Sequence, residues 1–322
     1  MTNFTISDDK IVSLYKSGLT MKEITEKYDV CERTIQRKLR KANVRKFTPI
    51  KHNIDESVFS IFTPESCYWA GFLAADGSIK KNNKTVYLKL KSDDEGHLRK
   101  FCKFLKRDEN IYRYESRLKG RNNVYYSSVV YFNSQKIVND LFNNFNITQN
   151  KTFTLRPPEK IPPILINHFI RGFMDGDGSV MLKDKIFKLH MVSGSKNFME
   201  WILNNIRKNS DAVNSKLSSR IMKSTIYELN FSALKAKNIL DWLYSNSSNE
   251  NKLERKHKLY LKYIESLKKN QEDQLKFEQK LFALYDSGTL IKNIAEDLKV
   301  SLQTVHTYAR KNNKYRMIYK EI

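Results

Sequence analysis

Cysteine is scarce. Cys31, Cys67 and Cys102 are the only three in 322 residues and stand far apart. They form neither a disulfide framework nor a zinc cluster, and a reduced compartment suits them best. The six histidines (His52, His97, His168, His190, His257, His306) show no ligand spacing. Zinc nuclease chemistry therefore has no support. Mean hydropathy is −0.60 and no long uncharged apolar run exists, which excludes a membrane helix. The opening MTNFTISDDK lacks a basic stretch followed by an apolar one, so no signal peptide is expected. Acidic residues are also short: 35 Asp and Glu face 58 Lys and Arg, a net charge of +23. Such a surplus calls for a polyanionic partner. Nucleic acid is the commonest one inside cells. Forty per cent of residues are hydrophobic, enough for a packed core, and the length predicts two or three domains.

A repeat joins the two ends of the chain. Residues 10–43 align without a gap to residues 280–313, with 13 of 34 positions identical, among them Leu14/Leu284, Gly18/Gly288, Ile24/Ile294 and Thr34/Thr304. Ile11, Leu14, Tyr15, Ile24, Ile35 and Leu39 are spaced for a small three-helix core with Gly turns. The pattern resembles the resolvase-like helix-turn-helix family, which lays its last helix in the DNA major groove. By that resemblance the candidate DNA contacts are Arg33, Arg37, Lys38 and Arg40 in the first copy and Gln303, Thr304 and Thr307 in the second. A helical protein-binding module is the alternative. Ser301 is a good N-cap for the last helix, whereas Cys31 is a poor one.

The block between the ends is itself duplicated. Each half reads as an apolar helix ending in Asp-Gly, two strands, a helix, two strands and a helix. Strands are expected around 78–92 and 110–133, then 179–193 and 215–232, with helices at 195–209 and 234–246. In TVYLKLKS, Val86, Leu88 and Leu90 alternate with Tyr87, Lys89 and Lys91. Arg113, Arg117 and Lys119 likewise occupy one face of the next strand. Four of the six prolines fall in 152–163 and mark a boundary. The expected domains are 1–48, 57–150, 151–246, a basic helical linker 247–270, and 271–322.

The most informative segments are YWAGFLAADGSI (68–79) and FIRGFMDGDGSV (169–180), with Asp76 and Asp177 101 residues apart. Thr63-Pro64 is a good N-cap and first helical pair. Gly71 and Gly172 fall within the helices, where Gly costs about 1 kcal/mol against Ala; two such losses at equivalent sites predict close helix packing. Gly77 and Gly178 suit a left-handed position past each helix end. Asp76 and Asp177 then sit at helix C-termini, where the macrodipole opposes a carboxylate. Two such acids brought together call for a hard divalent cation.

WAGFLAADG (69–77) and IRGFMDGDG (170–178) resemble the nine-residue motif of the LAGLIDADG homing endonucleases in their single-chain, two-motif form. The resemblance covers residues 57–246. It implies an α+β fold: a pseudo-two-fold duplicated αββαββα endonuclease core with antiparallel sheets, carrying small all-α helix-turn-helix units at both ends. Asp76 and Asp177 become the catalytic, metal-binding residues, with Ala75 and Gly176 beside them as further metal positions and Mg²⁺ or Mn²⁺ as the ion. Gly71 and Gly172 become the helix interface. The sheets become a saddle on double-stranded DNA, read by Lys89, Lys91, Arg113, Arg117 and Lys119 in one half and Lys183, Lys185, Lys188, Arg220 and Lys223 in the other. Arg220 and Lys223 are either basic catalytic groups beside the phosphate or ordinary phosphate contacts. Two departures stand out. Ala74 occupies a position often filled by Asp, as Asp175 does in the second copy, and Arg171 replaces a small residue and is expected to point outward.

The function implied is site-specific hydrolysis of both DNA strands by a monomer, in the cytoplasm of a bacterial or phage-infected cell and typical of a mobile intron. No membrane and no small-molecule substrate is expected. A non-cleaving transcription regulator and an intron RNA maturase share the scaffold and remain alternatives. An intein is disfavoured by Met1 at the start and Lys320-Glu321-Ile322 at the end.

Overall fold

The structure, a computed structural model, describes residues 6–17, 19, 21–42, 44, 54–80, 84–117, 124–222 and 224–312. Met1–Asn53 and Ile54–Ile322 are separate compact units.

The first unit holds α1 (Asp8–Lys16), α2 (Met21–Tyr28) and α3 (Glu32–Lys41). Ser7 caps α1 by accepting from the Lys10 amide at 3.3 Å. Ile11, Ile24, Ile35 and Leu39 are buried at its centre, and Leu14 and Tyr15 pack on them half-buried. Asp29 takes a left-handed φ of 47° between α2 and α3.

The second unit carries two consecutive αββαββα halves. The first comprises α4 (Pro64–Ala75), β1 (Gly77–Ile79), β2 (Thr85–Lys91), α5 (Glu95–Phe104), β3 (Tyr112–Arg117), β4 (Val124–Asn133) and α6 (Gln135–Phe145). The second comprises α7 (Ile166–Asp177), β5 (Gly178–Lys183), β6 (Ile186–Ser193), α8 (Lys196–Asn209), β7 (Ser218–Ile221), β8 (Thr225–Ser232) and α9 (Ala233–Tyr244). Both sheets are antiparallel with equivalent orders, β1-β2-β4-β3 and β5-β6-β8-β7. The alternation in β2 works as read: Val86, Leu88 and Leu90 face the core while Lys89 and Lys91 face out. Asp184 and Lys185, at φ 49° and 64°, form the two-residue β5–β6 turn.

One apolar cluster spans both halves, with α4 and α7 at its centre. The start of α4 follows its sequence: Thr63 accepts from the Ser66 amide at 3.0 Å, and Ser66 Oγ accepts from the Thr63 amide at 2.8 Å, with Pro64 at the first position. Gly71 and Gly172 let the two backbones touch. A Cβ on Gly71 would stand 2.0 Å from the Phe169 carbonyl oxygen, and one on Gly172 would stand 1.9 Å from that of Tyr68.

Beyond the halves run α10 (Glu254–Asp286), α11 (Ile291–Asp297) and α12 (Leu302–Lys311). The division expected at 270/271 thus falls inside one uninterrupted helix of 33 residues. Leu281, Tyr285, Ile294, Ala295, Val305 and Ala309 form a small core of their own, Gly288 has φ +86°, and Ser301 caps α12. No helix among the described residues is long and apolar enough to cross a membrane.

Two expectations need correction. Gly77 and Gly178 are not left-handed; each begins a strand, Gly178 with φ −96° and ψ 172°. They are needed for space, since a Cβ there would stand 2.6 Å from the Leu73 carbonyl oxygen or 2.5 Å from that of Met174. Arg171 does not point outward: it is fully buried. Its guanidinium donates to the Leu243 carbonyl at 2.6 Å and the Asn251 carbonyl at 2.9 Å, contacts His168 Nδ1 at 2.8 Å, and lies 5.3 Å from the Tyr68 ring centre. Those acceptors offset the cost of burying the charge. The close α4–α7 approach survives because the side chain leaves sideways.

Candidate active site and basic sheet faces

The tight helix pairing brings the two motif ends together. Asp76 follows directly on α4 and Asp177 ends α7. A Cβ on Gly176 would stand 2.3 Å from the Ala75 Cβ and 3.4 Å from Asp76 Oδ2, so glycine is required for the acids to approach. Both carboxylates open to solvent while protein crowds them from the inner side. That crowding raises the pKa of Asp76. Desolvation, and next the charge of Asp76, push Asp177 up to about 6.

Two lysines that stand in neither motif complete the site. Lys151 donates to the Gly77 carbonyl and, at 3.4 Å, to the Ala75 carbonyl. Lys256, near the start of α10, donates to the carbonyls of Met174 at 2.8 Å, Asp175 at 2.7 Å and Gly178. Each ammonium thus caps the C-terminal carbonyls of one motif helix, where the macrodipole favours a cation. Burial lowers the pKa of Lys151 and brings Lys256 down to about 8, while the neighbouring acids oppose the shift. Sequence reasoning missed both, although a signal existed: Lys151 lies 75 residues after Asp76 and Lys256 lies 79 after Asp177, each just past the last helix of its half.

The donor set fits a hard divalent ion. Two adjacent carboxylates, desolvated and mutually repelling, are the oxygen ligands Mg²⁺ takes when water and substrate phosphate supply the rest. Among the described residues no cluster of three or more His, Cys, Asp or Glu side chains is placed to hold a metal. Of the two further metal positions expected, Ala75 has its carbonyl in contact with Lys151, and Gly176 contributes the close approach.

The basic residues divide between faces. Lys89 and Lys91 stand exposed on the outer face of the first sheet, beside Tyr114. Arg113 belongs to the opposite face: its cross-strand partner Ser128 pairs with buried Leu90, and its guanidinium holds Glu95 of α5 through bonds of 2.6 and 2.7 Å. Arg113 first, then burial's opposing effect and Ser128, set the Glu95 carboxyl at about 2. On the second sheet Lys183, Lys185 and Lys188 are exposed, and Arg220 pairs with Glu228 at 2.9 Å. The side chain of Arg117 and the whole of Lys119 and Lys223 lie outside the described residues.

In the terminal units, Arg33, Arg37 and Arg40 line an open groove along α3. Lys38 is instead committed to its own unit, 2.9 Å from Asp8 and 3.0 Å from the Ile6 carbonyl. On α12, Gln303 and Thr307 are exposed, whereas Thr304 is engaged with the Ser301 cap through its amide at 3.1 Å and its hydroxyl at 2.8 Å.

Comparison with known proteins finds similarity to two domain families and to several solved structures. Residues 63–148 match the family described as the LAGLIDADG-like domain, and residues 166–236 match the WhiA LAGLIDADG-like domain. No curated protein matches in sequence. Solved structures similar to the chain include full-length DUF199/WhiA from Thermatoga maritima, at 11% identity over 80% of this chain and 93% of that one, with a TM-score of 0.35. The homing endonuclease I-WcaI bound to its DNA recognition sequence is similar at 16% identity, 68% and 97% coverage and a TM-score of 0.40. The LAGLIDADG meganuclease I-CpaMI bound to uncleaved DNA is similar at 11% identity, 77% and 98% coverage and a TM-score of 0.42. The two matched stretches fall one in each half of the second unit, and each includes the Asp-Gly end of its motif helix.

Proposed function

We propose that the protein is a divalent-metal-dependent endonuclease that binds double-stranded DNA across its two sheet faces and hydrolyses both strands at a specific site. The observation that carries the proposal is the pair of aspartates held together at two glycine-packed helix ends, each flanked by a lysine. Asp76 and Asp177 would hold the ion. When bound, the ion supplies Lewis acidity and a more acidic water. Lys151 and Lys256, fixed on backbone carbonyls, keep two positive charges beside the scissile phosphates, where negative charge grows during hydrolysis. Lys89, Lys91, Lys183 and Lys188 would position the duplex through its phosphates and base edges. The terminal units would add contacts through Arg33, Arg37, Arg40, Gln303 and Thr307.

A second reading, a non-cleaving DNA-binding regulator, is favoured by one observation, the match of residues 166–236 to the WhiA-type domain. A single experiment separates the two. The protein is incubated with a DNA library and Mg²⁺, then with EDTA, and ends are mapped. Metal-dependent double-strand breaks at one sequence support the nuclease; binding without breaks supports the regulator. Asp76→Asn and Asp177→Asn are each expected to lower cleavage by about a thousandfold or more while binding stays within a few-fold. Undiminished cleavage by both variants refutes the assignment.

A further inference from the structure

α10 is the structural joint between the site and the C-terminal three-helix unit, and it has no hinge. Its first turns belong to the main body. Lys256 caps α7, Tyr260 donates to Asp241 at 2.7 Å, and Tyr263 stacks on Phe187 with ring centres 4.1 Å apart. Phe187 lies next to the β5–β6 turn, at the end of the sheet remote from Asp177. The helix therefore leaves the body past the outer end of the second half. Its last turns belong to the C-terminal core, where Leu281 and Tyr285 are buried and Phe277 sits 5.4 Å from Tyr308. Between them every residue from 268 to 276 is exposed, two and a half turns of helix with Leu275 its one apolar side chain. An exposed, almost wholly polar helix that joins two packed bodies is a bridge. Lys268 and Glu272, Lys269 and Asp273, and Glu272 and Lys276 stand at i,i+4 spacing, which supports a helix in water. Three lysines against two acids leave this stretch nearly balanced, unlike a segment built to lie along phosphates.

We propose that α10 is a rigid strut that places the C-terminal unit on the same duplex, on the flank beyond the second half, at fixed distance and fixed rotation. This deepens the DNA-binding reading and rests on it. From Lys256 to Leu281 the helix spans about 38 Å at 1.5 Å per residue, close to one turn of B-form DNA. The unit thereby meets the groove face that the main body already faces. The surface it presents is α12, which contains no acidic residue and exposes Gln303, Thr307, Arg310 and Lys311. Amide, hydroxyl and cationic side chains on one exposed helix face suit base edges and phosphates.

The test inserts alanines after Asn270 in the full chain and maps hydroxyl-radical footprints on the selected site. Two residues turn the unit by about 200°; twenty-five return it to within about 20° and lengthen the strut by about 37.5 Å, close to one further turn of B-form DNA. The twenty-five-residue variant is expected to move one flanking footprint outward by about one helical turn, roughly ten to eleven base pairs, and leave the central one in place. The two-residue variant is expected to lose that flank and bind about tenfold more weakly. In the uninserted chain, a Gln303→Ala, Thr307→Ala, Arg310→Ala triple variant is expected to erase the same flank. A flank that stays fixed through both insertions means a flexible tether and overturns the strut. A flank that survives the triple variant overturns the assigned surface. A central footprint with no flank refutes this inference alone, whereas no footprint at all refutes the DNA-binding reading as well.

Discussion

The two halves share an order of elements but solve the same junction differently. An offset of 101 residues superposes their sequences from the motif helices into the next helices: Tyr68 corresponds to Phe169, Ala74 to Asp175, and His97 to Phe198. In the second half Phe169 and Phe198 meet edge to face at 6.3 Å. In the first half the same positions hold Tyr68 and His97, joined by a 2.9 Å hydrogen bond. The polar pair serves the other half. The Tyr68 hydroxyl donates to Asp175 Oδ2 at 2.8 Å, and the same oxygen accepts from the Leu253 amide at 2.8 Å, directly before α10. Asp175 is thus the anchor for the start of the strut. After the first half the chain makes only a turn at residues 151–154, with no helix to anchor, and Ala74 suffices. The sixth motif position therefore reports which segment leaves each half, and the eighth holds the acid that the two halves share.

The largest expected effect comes from making the halves alike at this position. Asp175→Ala leaves the Tyr68 hydroxyl and the Leu253 amide as buried donors without an acceptor, and removes a carboxylate beside Lys256 and Arg171. We expect a loss of about 3 kcal/mol in urea unfolding. Adding Tyr68→Phe removes one orphaned donor but strips His97 of its 2.9 Å partner, so the double variant should lose less than the sum of the two single changes. A neutral Asp175→Ala would break the comparison.

His97 offers the next test. Burial, then the charges of Lys100, Arg255 and Lys256, hold its pKa down to about 3. Unfolded, the imidazole binds a proton below about pH 6.5. The folded state binds fewer protons in this window, so the stability contributed by neutral His97 is complete above pH 6.5 and is lost as pH falls toward 3. Between pH 7 and 5 that share amounts to about 2 kcal/mol. His97→Phe, which copies Phe198, should flatten the decline of the unfolding free energy measured in urea over this interval by that amount. His168, held down to about 4 by burial and Arg171, continues to contribute in both proteins. An unchanged pH profile would show that His97 titrates alike in the folded and unfolded chain and is not held neutral by the fold.

Much of this was legible from residues alone. Period-2 alternation located the strands, and the duplicated Gly and Asp positions located the helix pair, because both signals are local and repeated. What escaped depended on partners brought in by tertiary structure. Arg171 reads as a surface residue until the Leu243 and Asn251 carbonyls, more than 70 residues away, are seen to receive it. Arg113 alternates as expected, yet its face is the inner one because Glu95 waits on α5. Lys151 and Lys256 sit in no motif; only their matching place after each half marks them. The continuity of α10 across residue 270 was hidden because the repeat begins at residue 280 and draws attention to a boundary that the backbone does not have.

The smallest effect concerns what each sheet reads. The outer face of the first sheet sets Tyr114 and Tyr125, both exposed, beside Lys89 and Lys91. The outer face of the second sets Met181, 42% exposed, and Ile186, 53% exposed, among Lys183 and Lys188. If the proposed function holds, aliphatic side chains in this basic row match the 5-methyl group of thymine, whereas phenol hydroxyls match hydrogen-bonding edges and phosphates. Replacing thymine by deoxyuridine removes that methyl and little else. In the half-site under the second sheet the replacement should weaken binding two- to five-fold at one or two positions, about 0.5–1 kcal/mol each. Under the first sheet it should change nothing measurable. Met181→Gln with Ile186→Thr should abolish the sensitivity while leaving affinity for the uracil-containing site nearly unchanged. Equal losses in both half-sites would show that the two faces read DNA alike, and that the difference between tyrosine and aliphatic rows carries no sequence information.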